Sequence, residues 1–178
     1  PNGKLRHAAF GASGMSWADM TSLSNHPMWE LVAVCDVDTR NFARLKEKFG
    51  PQVRCYQDWR ELLTQEAGKI DSVNVSIPDH MHGSVGFNAL TRGLHGYGQK
   101  PLTQNLHECR AVTEKARATG LMTQMGIQVS SDFTERFAVE MVHSGVIGKV
   151  KEVHTFSNKA WGDMTPLPDK ADPIPDGF

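Results

Sequence analysis

Cysteine is scarce: Cys35, Cys55 and Cys109 are the full set, and no two form a Cys-x-x-Cys pair. An odd number spaced so widely argues against a disulfide framework or a zinc knuckle and predicts reduced, mostly buried thiols. An excess of one charge is also missing. The 19 basic and 20 acidic residues are interspersed, for a formal net charge of −1, so there is no basic stripe for nucleic acid and no cationic face for a membrane. No apolar run is long enough to span a bilayer, and the N-terminus lacks the charged-then-apolar order of a secretory signal. The expected compartment is the cytoplasm. A periplasmic location stays open, because Pro1 is not an initiator methionine and an export signal could have preceded it. The expected partner is a small molecule.

At 178 residues the chain can build one good-sized core and part of a second. The stretch that organises it is Phe10-Gly-Ala-Ser-Gly-Met-Ser-Trp-Ala-Asp19. An apolar run, Leu5 to Phe10, leads into Gly11, and a segment carrying Met15, Met20 and Leu23 follows, so the glycines stand where a strand hands over to a helix. Backbone N–H groups at a helix start have no partner inside the helix, and the dipole is positive there, which suits a phosphate. Gly11 supplies the tight turn and Gly14 leaves the helix start open. The fingerprint is incomplete, because Ser13 and Ser16 occupy its second and third glycine positions. Taken alone, such a run is also an ordinary turn.

A second apolar run, Glu30 to Cys35, ends in Asp36, which lies 22 residues beyond Gly14. A carboxylate at the tip of the second strand, about 20 residues past the glycines, can accept hydrogen bonds from ribose hydroxyls and repels a 2′-phosphate. NAD is therefore expected ahead of NADP. Asp38 is assigned to capping the next helix.

Strand and helix signals then alternate, the signature of an α/β, doubly wound parallel sheet, or Rossmann fold. Phe42, Leu45 and Phe49 fall at helical spacing before Gly50-Pro51, and Val53 to Tyr56 reads as a third strand. Trp59, Leu62 and Leu63 mark a third helix behind Asp58. Val73, Val75 and Ile77 alternate in a fourth strand that Pro78 halts, and a helix follows from about His80 to Arg92. Leu94 to Pro101 is a fifth strand by position, weakened by Gly96 and Gly98. Leu106, Cys109, Val112 and Ala116 mark a long helix ending at Gly120, and Leu121 to Met125 is the sixth strand. From Ser131 an amphipathic helix should turn Phe133, Phe137, Met141 and Val142 inward. Gly148 to Phe156 reads as the first strand of a different sheet. Beyond Trp161, Pro166, Pro168, Pro173 and Pro175 deny regular structure. The expected organisation is a dinucleotide-binding domain over 1–126 and, over 127–178, the start of a truncated α+β domain for substrate and oligomerisation.

Gly11-Ala-Ser-Gly14, Cys35-Asp-Val-Asp38, Ser76-Ile-Pro-Asp-His-Met-His82, Gln99-Lys-Pro101 and Ser144-Gly-Val-Ile-Gly-Lys149, in that order, resemble the Gfo/Idh/MocA oxidoreductases, the glucose–fructose oxidoreductase and inositol dehydrogenase family. The resemblance implies an N-terminal Rossmann domain, a C-terminal open sheet, a homo-oligomer when full length, and an NAD-dependent dehydrogenase acting on a sugar, polyol or related hydroxy compound. It implies that Lys100, the lysine of the family's Glu-Lys-Pro motif, lies beside the nicotinamide and contacts the substrate hydroxyl. An ammonium there can steady a developing alkoxide. Gln99 stands in place of the motif's glutamate, which keeps an amide and removes a charge. The resemblance further implies cofactor contacts at Gly11, Ser13, Gly14, Met15, Asp36, Ser76, Pro78, His82, Gln99 and Gln128, and puts the family's acid/base pair in the second domain. Asp79, His80 and His82 could be read as a metal cluster, but a helix start points the two rings apart and no third ligand has suitable spacing, so no metal is expected. His80 reads as surface. Trp17 is either a cofactor neighbour or packing. Two further readings are an NAD-using glycoside hydrolase of the same family and a non-catalytic NAD-binding module.

Overall fold

The computed structural model describes residues 3–158, 165–166 and 170–178. They divide into two compact units, Pro1–Gly126 with Asp176–Phe178, and Ile127–Pro175. In the first unit β1 (Leu5–Phe10), β2 (Trp29–Cys35), β3 (Arg54–Tyr56), β4 (Ser72–Val75), β5 (His95–Gln99) and β6 (Thr123–Gly126) form a six-stranded sheet in the order β3-β2-β1-β4-β5-β6. All neighbours are parallel, with Phe10 opposite Cys35 on one side and Val75 on the other. That is the Rossmann order, and the chain's reversal between β1 and β4 opens a crevice at the strands' carboxyl ends.

The intervening segments α1 (Gly14–Leu23), α2 (Phe42–Phe49), α3 (Trp59–Gln65), α4 (Asp79–Thr91) and α5 (Leu106–Thr119) are helical for local reasons. Asp58 and Asn105 accept N–H bonds at the starts of α3 and α5, and Asp38 caps the short turn leading into α2. Gly50, at φ 108°, and Gly120, at φ 63°, close α2 and α5 in conformations other residues avoid. Two apolar layers result. Ala9, Met20, Trp29, Val34, Leu45 and Val53 pack under α1 and α2, while Phe10, Leu62, Leu63, Val73, Val75 and Val85 pack under α3 and α4.

Despite its glycines, β5 pairs on both sides. Gly96, Gly98 and Gly86 instead line a cavity of about 270 Å³ bounded by β4, β5, β6, α4 and α5. A Cβ on Gly96 would meet nothing within 4 Å. Gly96→Ala should therefore raise stability by about 1 kcal/mol, by restricting the unfolded chain and filling space. Urea unfolding would check this, and an unchanged or lower midpoint would contradict it. Cys35 is buried and Cys55 half-buried as expected, but Cys109 is exposed. It lies near the start of α5, where Leu106 is exposed too.

The second unit contains α6 (Phe133–His143), whose start Asp132 caps. Here two expectations are corrected. None of the residues of α6 is buried; Phe133 and Phe137 are exposed and stack on each other with ring centroids 5.9 Å apart. The stripe is amphipathic, but periodicity alone does not supply a surface for it to pack on. Residues 148–158 form no strand, because β structure needs a neighbouring strand to complete its hydrogen bonds. Pro166, Pro173 and Pro175 lie outside helices and strands, and Trp161 and Pro168 fall outside the described residues.

Candidate functional site

The crevice where β1, β2 and β4 end is a cleft of about 630 Å³. Gly11 forms its floor at φ +103°, and a Cβ there would lie 2.6 Å from the Ser76 carbonyl oxygen and 2.8 Å from Ser16 Cβ. Only glycine lets the chain leave β1 this close to the turn after β4. Ser16 Oγ donates to the Gly11 carbonyl at 2.7 Å and fixes that turn. Gly14, at φ +54°, opens α1, and the side chain of its N-cap, Ser13, caps none of the helix amides. No acidic residue occupies the first turn of α1. The positive end of the helix therefore faces the cleft with no acidic side chain from its own first turn, an arrangement suited to a diphosphate.

Asp36 stands on the rim. Its Oδ2 accepts the Ala12 N–H at 2.6 Å and its Oδ1 the Asp38 N–H at 2.9 Å. A carboxylate has about four lone-pair positions, so two remain for hydroxyl donors. Asp38 caps, as expected, and holds Arg40 in a two-point pair, Nε–Oδ1 and Nη2–Oδ2 both 2.7 Å. That pair, together with hydrogen bonding to its own turn, holds the Asp38 carboxyl below the usual range.

Ser13, Met15, Ser76 and Pro78 join Gly11, Gly14 and Asp36 around this one cleft. His82 does not line it. It is buried, with Nδ1 2.7 Å from the Pro101 carbonyl and Nε2 2.6 Å from the Ile77 carbonyl. Its position is that of a strut, tying the turn after β4 to the Lys100–Pro101 turn after β5. Lys100 is exposed, and Gln99 is buried with its Nε2 on Asp19. Gln128 lies in the second unit, at the start of a short turn over Val129–Ser131. Trp17 is packing: it meets Phe49 edge-on at 5.7 Å and lies 4.0 Å under the Arg44 guanidinium.

Sequence reasoning missed part of the lining. His80, Met81, Gln57 and Trp59 border the cleft, as does Phe178, whose ring lies 5.2 Å from the Arg40 guanidinium. A residue just past a strand's carboxyl end was the available signal, and Gln57, next after β3, carries it, whereas His80 stands in the first turn of α4. Among the described residues no three His, Cys, Asp or Glu side chains come together as a metal site.

A glycine floor that a Cβ would fill, an uncapped helix start and a carboxylate with spare acceptor positions fit a dinucleotide. The family model described as an oxidoreductase family with an NAD-binding Rossmann fold, Gfo/Idh/MocA, matches residues 5–127. The chain belongs to the Gfo/Idh/MocA family. Among Gfo/Idh/MocA relatives, scyllo-inositol 2-dehydrogenase (NAD(+)) of Bacillus subtilis (strain 168) is 34% identical over 80 residues, covering 45% of this chain and 23% of that protein. A glycosyl hydrolase family 109 protein of Shewanella sp. (strain W3-18-1) is 28% identical over 129 residues, covering 68% of this chain and 28% of that protein. This chain thus spans about a quarter of the length of these curated relatives. In fold it is similar to myo-inositol 2-dehydrogenase from Lactobacillus plantarum, with TM-score 0.75 at 24% identity over 83% of this chain and 43% of that one.

Proposed function

We propose that residues 1–126 are the dinucleotide-binding domain of an NAD-dependent oxidoreductase acting on a sugar, polyol or related hydroxy compound, and that 127–178 begin its substrate and oligomerisation domain. The observation that carries the reading is the Gly11 floor with the start of α1 above it and Asp36 at its rim. Gly11, Ser13, Gly14 and Met15 would hold the diphosphate, and Asp36 the adenosine ribose. Ser76, Pro78 and Gln99 would border the other half, with His82 bracing the two turns that carry it. Bound nicotinamide supplies a hydride acceptor or donor. Lys100, on the turn after β5, would place its ammonium at the substrate hydroxyl, orienting it and steadying negative charge on that oxygen. The alternative of an NAD-using glycoside hydrolase is supported by names alone, since several of the curated relatives carry the glycosyl hydrolase family 109 name. It would release sugar without net NADH, whereas a dehydrogenase accumulates it.

NADH fluorescence titration tests the site directly. The chain should bind NADH saturably, and Gly11→Ala should weaken binding by at least tenfold, since the new Cβ has to displace either the Ser76 carbonyl or Ser16. A failure of the unsubstituted chain to bind either NADH or NADPH would remove the reading.

A further inference from the structure

The sheet face beneath α1 holds a line of buried polar groups that cofactor binding alone does not explain. Asp19 of α1 is 8% exposed, and among the described residues no cation pairs with it. A carboxylate so placed is costly unless donors surround it. The donors are Ser76 Oγ at 2.7 Å and Gln99 Nε2, 3.3 Å from Oδ1 and 3.0 Å from Oδ2.

Behind them runs a chain of hydrogen bonds with one direction. His7 is buried, and burial pushes its pKa down to about 4, against a smaller opposing effect of its Asn74 bond, so near pH 7 the ring is neutral. A neutral ring donates from one nitrogen only. His7 Nε2 lies 3.0 Å from Asn74 Oδ1, which can only accept, so Nδ1 receives the Ser72 hydroxyl at 2.8 Å. Asn74 Nδ2 then donates to Ser76 Oγ at 3.0 Å, which turns the Ser76 proton onto Asp19. From Ser72 through His7, Asn74 and Ser76 one unbroken line of donors points toward Asp19, while Asn74 Nδ2 also donates to Ser16 Oγ at 3.2 Å on a branch toward Gly11. The chain stabilises a negative charge without supplying a positive one.

Its place in the fold gives that charge a target. With Asp36 at the end of β2 and the diphosphate at the start of α1, the other half of a dinucleotide extends over the ends of β4 and β5. Those ends carry Ser76 and Gln99, the two residues that hold Asp19. The nicotinamide ring is positively charged when oxidised and neutral when reduced. We propose that Asp19 acts through Ser76 and Gln99 as an electrostatic selector, making this cleft hold the oxidised dinucleotide in preference to the reduced one. The inference rests on the dinucleotide reading above and adds to it a residue and a direction.

The test compares affinities for NAD+ and NADH, by calorimetry and fluorescence, in the unsubstituted chain and in Asp19→Asn. Asparagine keeps the size and one acceptor but removes the charge. NAD+ binding should weaken by about tenfold relative to NADH, the scale of a unit charge acting across a low-dielectric site. Ser72→Ala loosens the far end of the chain while leaving the charge, so it should lower the melting temperature and leave the ratio unchanged. Should Asp19→Asn not melt cooperatively, Asp19→Ser removes the same charge. Loss of both affinities in step, or an unchanged ratio, would show a merely structural Asp19 and overturn the proposal. A chain that binds neither nucleotide would overturn the dinucleotide reading instead.

Discussion

Asp36→Asn should narrow the preference for NADH over NADPH by about tenfold, and Asp36→Arg should reverse it. The cause is electrostatic: a 2′-phosphate carries up to two negative charges, and beside a half-buried carboxylate at the rim solvent screening leaves a repulsion of about 1.4 kcal/mol, the tenfold expected. Asparagine removes that repulsion and keeps an acceptor for the Ala12 N–H, whereas arginine adds attraction and loses the acceptor. The two variants therefore differ in stability as well as in specificity. Arginine should melt lower, because the Ala12 and Asp38 amides both lose their partner. The neighbouring cation does not mask the effect, since Arg40 is engaged at two points by Asp38. Paired fluorescence titrations with NADH and NADPH decide it. Equal affinity for both nucleotides before and after Asp36→Asn would remove the role given to this carboxylate.

What the linear sequence discloses follows the range of the interactions involved. The turn at Gly11 and the carboxylate at Asp36 belong to one strand-helix-strand unit, and residue spacing within such a unit is set by backbone geometry, so both were legible. The caps at Asp38, Asp58 and Asn105 are contacts over two or three residues. By contrast, Asp19 meets Gln99 across 80 positions and His7 meets Asn74 across 67. No local pattern announces either pair. The nearest clue was Ser72, Asn74 and Ser76 alternating through a strand buried in the middle of the sheet, where polar side chains need partners. The partners of His82 are hidden for a related reason. Its position in the motif placed it beside the cleft, but the carbonyls of Ile77 and Pro101 that claim its ring come from two separate turns. The stripe on α6 shows the opposite limit, since its period was readable while its burial was not.

Arg54→Met should cost about 3 kcal/mol at neutral pH, and much less in acid. Glu66, at the end of α3, has no solvent exposure, and Arg54 of β3 grips it at two points, Nε–Oε1 and Nη2–Oε2 both 2.6 Å. The Tyr56 hydroxyl donates to the same carboxylate. Burial alone would raise the carboxyl's pKa, but bonding to Arg54 and Tyr56 outweighs it and the net shift is downward. A carboxyl lowered on folding adds stability above its unfolded value, and that stability is lost as the pH falls through the folded one. Removing Arg54 reverses the balance. Glu66 then keeps only the Tyr56 donor inside a dry site, and breaking such a pair from one side leaves an uncompensated charge. The variant's carboxyl should titrate above the unfolded value, so protonation relieves it and the gap to the parent closes between neutrality and about pH 4. Glu66→Gln should cost less than Arg54→Met, because Arg54 is nearly half exposed and can turn to water. Combining Arg54→Met with Glu66→Leu should cost less than the two single losses added, as expected for partners in direct contact. Urea unfolding of all five proteins, the Glu66→Leu single variant included, at pH 7 and pH 4.5 measures each term. A loss below about 1 kcal/mol for Arg54→Met, equal at both pH values, would mean that the pair behaves like an exposed surface bridge.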